Sequence, residues 1–303
     1  MKSNYSFLKG TGVALITPFD ANGQIKFEDL SKIIEHCIAG GVDYLVSMGT
    51  TGESATLSYE ERISVIQHTI KISNNRIPVV AGFGGNNTLE LVKEIQILNT
   101  EGISAILSSS PAYNKPSQEG IFQHYMEIAE HSPLPIIIYN VPGRTASNIL
   151  PETTLRLAHA SSKFAAVKEA SGDLTQATKI IKEKPDHFLV LSGDDPLALG
   201  LIGIGGDGVI SVIANIYPKL FSDMIRFAMQ GNFSEAQEIN LRLFDLHKWL
   251  YIDGNPAGVK AGAHYLGLCE NIFRLPLVQM TLGNFDRLKK EMDLINKLIL
   301  ISI

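Results

Sequence analysis

Cysteine is nearly absent: Cys37 and Cys269 are the two in 303 residues, and neither has a CxxC or Cys/His spacing around it. That excludes a disulfide framework and a zinc site, and both residues are expected as free, buried thiols. No cluster of lysine and arginine occurs and the net charge is −5, so the electrostatic footprint that nucleic acid demands is missing. Small molecules are the expected partners. No uncharged apolar run approaches the ~18–20 residues that span a bilayer, and the opening MKSNYSFLKG has no apolar signal core; a soluble, cytoplasmic chain is expected. The histidines form no HExxH or triad-like pattern. His124 and His131, seven apart on one helix, read as ordinary surface or core residues.

What the sequence has is repetition. With 45% hydrophobic and 19% charged residues the composition is that of an ordinary globular protein. Short apolar runs recur at 13–17 (VALIT), 44–48 (YLVSM), 78–83 (PVVAGF), 104–108 (SAILS), 135–140 (PIIIYN), 164–168 (FAAVK), 188–192 (FLVLS) and 208–212 (GVISV). Between them lie amphipathic stretches such as FEDLSKIIEHCIAGG and LELVKEIQILNTEG, each closed by glycine after its last turn. Strands apolar on both faces and joined by crossover helices make a parallel sheet, and eight such units favour a closed (β/α)8 barrel over an open doubly wound sheet. Residues 1–230 are expected to form this barrel. Residues 231–303 read as helix only, interrupted at DGNPAG, with no Pro/Gly/Ser-rich linker before them, so this region is expected to pack on the barrel. Its INKLILISI end reads as a docked helix end or subunit contact.

In this fold the active site lies on the loops that follow the strands. One of them begins with Lys168, which closes an apolar strand although an ammonium is strongly hydrated and rarely buried without a partner. The neighbouring strand ends in Tyr139, with Arg144 five residues on, so a nucleophile, a proton carrier and an anion clamp face one mouth. After the second strand, GTTGES joins small residues with two hydroxyls, a pattern suited to holding a carboxylate or phosphate, and Ser58 with Glu61 reads as the capping box of the next helix. GIGGDG matches GxGxxG literally but precedes a strand, so it reads as a tight turn, not a dinucleotide site.

GTTGES, PAYNKPSQEG, YNVPGRT, VKEASGD, LSGDD and GVISVIAN stand in the order and at the spacing of dihydrodipicolinate synthases. From about Lys9 to about Arg287 the chain resembles that branch of the pyruvate-dependent Schiff-base lyases, a family that also contains N-acetylneuraminate lyase. The resemblance implies a step of lysine biosynthesis that uses no cofactor and no metal: Lys168 forms an imine with pyruvate, and the enamine derived from it attacks aspartate semialdehyde. It assigns the proton relay to Tyr139, Thr50 and, from a neighbouring subunit, Tyr113. Thr51 would hold the pyruvate carboxylate, Arg144 the carboxylate of the semialdehyde, and Gly193 and Ile210 would line the site through their carbonyls. Glu169, on the opposite face of its strand, receives no catalytic role. A relay across an interface requires at least a dimer, and a homotetramer built as a dimer of dimers is expected. An effector site for lysine would match Ser54, Ala55, Tyr59, Arg62, Asn86, Glu90 and Ala112. Ala112 stands where the family has a tyrosine, and Arg62 brings a like charge toward a cationic ligand, so weak or absent inhibition is expected. The alternatives are another pyruvate Schiff-base aldolase, such as N-acetylneuraminate lyase or a 2-keto-3-deoxy sugar acid aldolase, and, disfavoured by the intact Lys, Tyr and Thr set, a catalytically inactive scaffold barrel.

Overall fold

Eight strands form a closed parallel barrel in chain order in the computed structural model, which describes residues 5–301. They are β1 (Gly10–Ala14), β2 (Tyr44–Ser47), β3 (Val79–Gly82), β4 (Ala105–Ser109), β5 (Ile136–Asn140), β6 (Phe164–Glu169), β7 (Leu189–Ser192) and β8 (Gly208–Ser211). Every strand residue is buried except Ser109, which is half-buried. This is why the strands read as continuous apolar runs: with side chains packed inside the barrel and helices outside, neither face is left to water. Closure is visible at the strand entrances, where Gly10 N donates to Asp207 O at 3.1 Å and Asp43 N to Thr11 O at 2.7 Å. Gly208, the last residue of GIGGDG, has φ +155°, and a Cβ there would lie 2.3 Å from Gly10 O, so beyond the expected turn the motif also serves the close approach of two backbones.

The chain divides into two compact units. One comprises residues 5–12, Asp43–Val46 and Asn75–Ser211, and so holds nearly all of the sheet together with the helices Thr88–Gln96, Gln118–His131, Pro151–Ala160, Leu174–Glu183 and Ala198–Gly203. The other comprises Val13–Val42, Ser47–Asn74 and residues 212–301. In this second unit the helix Phe233–Tyr251 packs along Pro218–Met229 and Leu282–Ile301, and Ala257–Tyr265 lies against both Phe233–Tyr251 and Leu282–Ile301. The helical C-terminal region therefore packs on the helix that follows β8, Pro218–Met229. The expectation for INKLILISI falls partly outside the described residues.

The C-terminal region, expected as helix interrupted only at DGNPAG, is also non-helical over 266–281, between Ala257–Tyr265 and Leu282–Ile301, and two elements differ from their expected bounds. The first strand is Gly10–Ala14, not 13–17, because Ile16 N turns to Asn215 Oδ1 (3.1 Å) and Ala14 O accepts from Asn215 Nδ2 (2.8 Å) instead of continuing the ladder. The helix expected over 89–102 ends at Gln96, and beyond it Asn99 Oδ1 accepts from Glu101 N at 3.1 Å, a local turn that competes with helix. Cys37 and Cys269 are free and buried, and burial pushes both thiols up, Cys269 to about 12. His124 is buried, with Nδ1 2.8 Å from Thr88 Oγ1, and burial pulls it down to about 4. Among the described residues no helix is long and apolar enough to cross a membrane.

Candidate active site

Alternation along β6 sends Ala166 and Lys168 to one side of the sheet and Val167 and Glu169 to the other. Lys168, 5% exposed, pairs in register with Tyr139 of β5 and Leu191 of β7. Its Nζ lies 4.3 Å from the centroid of the Tyr139 ring, itself buried, so the expected neighbours do meet. Gly193 follows β7, and a Cβ there would sit 2.6 Å from Ala170 Cβ and 3.1 Å from Lys168 Cε and Cγ. Its lack of a side chain is what leaves the lysine stem its room. Ile210 is buried on β8.

The opposite face of β6 is a satisfied polar network. The Glu169 carboxylate accepts from Asn140 Nδ2 (3.1 Å to each oxygen), Gln176 Nε2 (2.9 Å) and Ser171 N (2.8 Å), and Asn140 Oδ1 accepts from Ile149 N at 2.9 Å. These bonds tie the ends of β5 and β6 together, so Glu169 supports the lysine strand without facing the same side. Asn140 and Gln176 carried no recognisable signal in the sequence.

The loop after β4 behaves differently. Ala112 N donates to Asn86 Oδ1 at 2.8 Å and Tyr113 N to Thr145 O at 3.2 Å, which fixes Tyr113 at φ +70° with 90% of the residue exposed. Its ring stands away from the surface, whereas Lys168 and Tyr139 are buried. Arg144 lies in the short turn Pro142–Thr145 that follows β5 and is exposed.

GTTGES belongs to the second unit. Thr50–Gly52 is a single 3-10 turn flanked by two left-handed residues, Met48 (φ +61°) and Glu53 (φ +56°). Such backbone is strained for non-glycine residues and persists only where its surroundings fix it. Thr17 holds the Gly52 carbonyl, and Asn255 Nδ2 donates to Thr51 Oγ1 at 2.9 Å. Glu53 accepts from Lys260, which is fully buried, gives a further hydrogen bond to Ile272 O (2.9 Å) and has its Nζ 4.6 and 4.4 Å from the rings of Phe19 and Phe273. Burial holds the Glu53 carboxyl above its ordinary range and the Lys260 ammonium below its own, each opposed by their mutual attraction. Thr51 is buried and Thr50 exposed. Sequence reasoning missed Asn255, Glu53 and Lys260; the available signals were the DGNPAG break and a lone charge in AGVKAGAHY.

The expected effector positions are spread along both units. Ser54 and Ala55 form the next 3-10 turn, Tyr59 and Arg62 open the helix Tyr59–Ser73, and the Arg62 guanidinium stands 5.5 Å from the Tyr59 ring. Asn86 is engaged by Ala112 N, and Glu90 pairs with Lys93 at 2.8 Å.

Comparison with known proteins gives one answer. The model of the dihydrodipicolinate synthetase family matches residues 7–294. The chain is 49% identical over 288 residues to the 4-hydroxy-tetrahydrodipicolinate synthase of Flavobacterium psychrophilum, covering 95% of this chain and 97% of that one. It superposes with TM-score 0.94 on a monomeric variant of dihydrodipicolinate synthase (35% identity, 98% and 99% of the two chains). The TM-score is 0.93 with the chloride-inhibited enzyme of Acinetobacter baumannii complexed with pyruvate (37% identity, 95% and 99%). Match over almost the whole length, in sequence and in fold, leaves a single assignment: the chain belongs to the dihydrodipicolinate synthetase family.

Proposed function

We propose that the chain catalyses the reaction of these relatives, condensing pyruvate with L-aspartate 4-semialdehyde to 4-hydroxy-tetrahydrodipicolinate in lysine biosynthesis, through an imine on Lys168. The observation that carries this is a buried lysine at a barrel-strand end, its Nζ 4.3 Å from the centroid of the Tyr139 ring, in a chain of this family. The Lys168 amine adds to the pyruvate ketone and water leaves, giving an iminium that acts as electron sink. Loss of a methyl proton yields the enamine. Its carbon attacks the aldehyde carbon, and the aldehyde oxygen takes a proton to become the hydroxyl. The substrate amine then adds to the iminium carbon, closing the ring and expelling Lys168 as the free amine.

In this reading Tyr139 gives and takes the protons, Thr50 bridges, and Tyr113 completes the relay from a neighbouring subunit of a homotetramer; the 90% exposure of Tyr113 supports that role. Thr51 holds the pyruvate carboxylate, Arg144 orients that of the semialdehyde, and Gly193 and Ile210 line the site. The chemistry lies in the barrel of residues 1–230, with residues 231–303 as its helical extension, and the location is cytoplasmic. Borohydride with pyruvate adds mass at Lys168, and Lys168→Ala abolishes it; no added mass in the wild type would refute every Schiff-base reading. Side-by-side assays with aspartate semialdehyde and with N-acetylneuraminate decide between family members. Arg144→Ala leaves imine trapping intact and weakens use of the semialdehyde, whereas equal loss of both steps would count against its role.

Lysine is read as a weak effector or none. Asn86 already accepts from Ala112 N, Glu90 already pairs with Lys93, and Arg62 brings a like charge. A titration is expected to leave activity unaffected at submillimolar lysine, and half-inhibition there overturns this.

A further inference from the structure

Asn255 lies at the break between the helices Phe233–Tyr251 and Ala257–Tyr265, 204 residues from Thr51 in the chain, yet its Nδ2 donates to Thr51 Oγ1 at 2.9 Å. A threonine hydroxyl has two lone pairs to accept with and one hydrogen to give. An amide N–H on one lone pair leaves that hydrogen for another acceptor and turns it away from Asn255. The turn that bears Thr51 is itself immobilised: Thr17 holds the Gly52 carbonyl, and Glu53, one residue further, is locked to the buried Lys260. With the backbone fixed, the Thr51 hydroxyl keeps its χ1 rotamer and the rotation about its own C–O bond, and the hydrogen bond from Asn255 restricts both.

We propose that Asn255 is a positioning residue for the pyruvate carboxylate, fixing Thr51 as a hydrogen-bond donor before substrate arrives. A prepaid orientation is worth affinity because substrate no longer has to order the hydroxyl. The inference rests on the reading of Thr51 as the carboxylate holder. Replacement by aspartate reverses the polarity: the new carboxylate accepts the Thr51 hydrogen, removes the donor and adds a like charge beside the incoming anion.

The test measures pyruvate saturation by borohydride trapping and steady-state saturation with both substrates, in the wild type, Asn255→Ala, Asn255→Asp and Thr51→Val. Asn255→Ala is expected to raise the half-saturating pyruvate concentration about tenfold, the equivalent of one hydrogen bond, and Asn255→Asp to raise it further. Half-saturation by the semialdehyde stays within about twofold of wild type, a split that a merely structural asparagine would not produce. Wild-type pyruvate saturation in both Asn255 variants, or parallel losses for the two substrates, overturns the inference while leaving chemistry at Lys168 standing. Wild-type saturation in Thr51→Val overturns the carboxylate assignment and this inference together. No trapping in the wild type overturns the proposed function as well.

Discussion

At the scale of single residues the site depends as much on what is missing as on what is present. Gly193 is the case in point: any Cβ there meets Ala170 Cβ at 2.6 Å and the Lys168 chain at 3.1 Å, the first a distance that real Cβ atoms do not show. Gly193→Ala is therefore expected to displace the lysine stem and cut imine formation by roughly a hundredfold, the cost of about an ångström of misplacement. Trapping rates with pyruvate measure this, and a near-wild-type rate would mean that the strand end shifts to accept the methyl group. Gly193 came only with the family resemblance, whereas Lys168 and Tyr139 were legible in the sequence because each breaks its surroundings: a charge after alanines and valine, a phenol before a turn. Asn255 and the Glu53–Lys260 pair were not. Their meaning is a contact between residues about two hundred apart, and neither periodicity nor composition encodes such a distance.

At the scale of elements, local rules did well where local energetics decide. The capping box at Ser58 forms as read, with Glu61 N donating to Ser58 Oγ at 3.2 Å and Ser58 N to Glu61 Oε2 at 3.0 Å. The same carboxylate also receives both Nη1 and Nη2 of Arg274, at 2.7 and 2.6 Å, and this fork is the main reason Glu61 is held down at about 2. A depressed carboxylate contributes stability that is fully present above its unfolded value of about 4.3 and is lost as pH falls through the folded value. Arg274→Met is expected to lower stability at pH 7, with a gap to wild type that holds down to about pH 5 and closes toward about pH 2. Urea denaturation across that range checks it. A gap that persists in acid would assign Arg274 to packing on the Phe19 ring, 4.8 Å away, and not to charge. Strand bounds were less legible than helix caps. The first strand is displaced by three residues because Asn215 claims the backbone that the apolar run alone would have continued.

At the scale of the whole molecule, eight apolar runs sufficed to predict a closed barrel, since strand number and right-handed crossovers leave few ways to close a sheet. What a single chain holds least completely is the proposed proton relay. Tyr113 is held at φ +70° by the Thr145 carbonyl and is 90% exposed, so its own chain provides the ring no enclosure. If Tyr113 acts across a twofold interface, two inactive proteins have complementary defects: Lys168→Ala retains a working tyrosine and Tyr113→Phe a working lysine. In a mixed dimer the site with Lys168 receives the intact Tyr113 and works, while the other site is dead. Random reassortment makes half the dimers mixed, with one live site in two, so activity should recover to about a quarter of wild type. The measurement is turnover after the two variants are dissociated together and allowed to reassociate, against each variant treated alone. A relay within one chain predicts no recovery at any mixing ratio, because every subunit then lacks either the lysine or its own tyrosine.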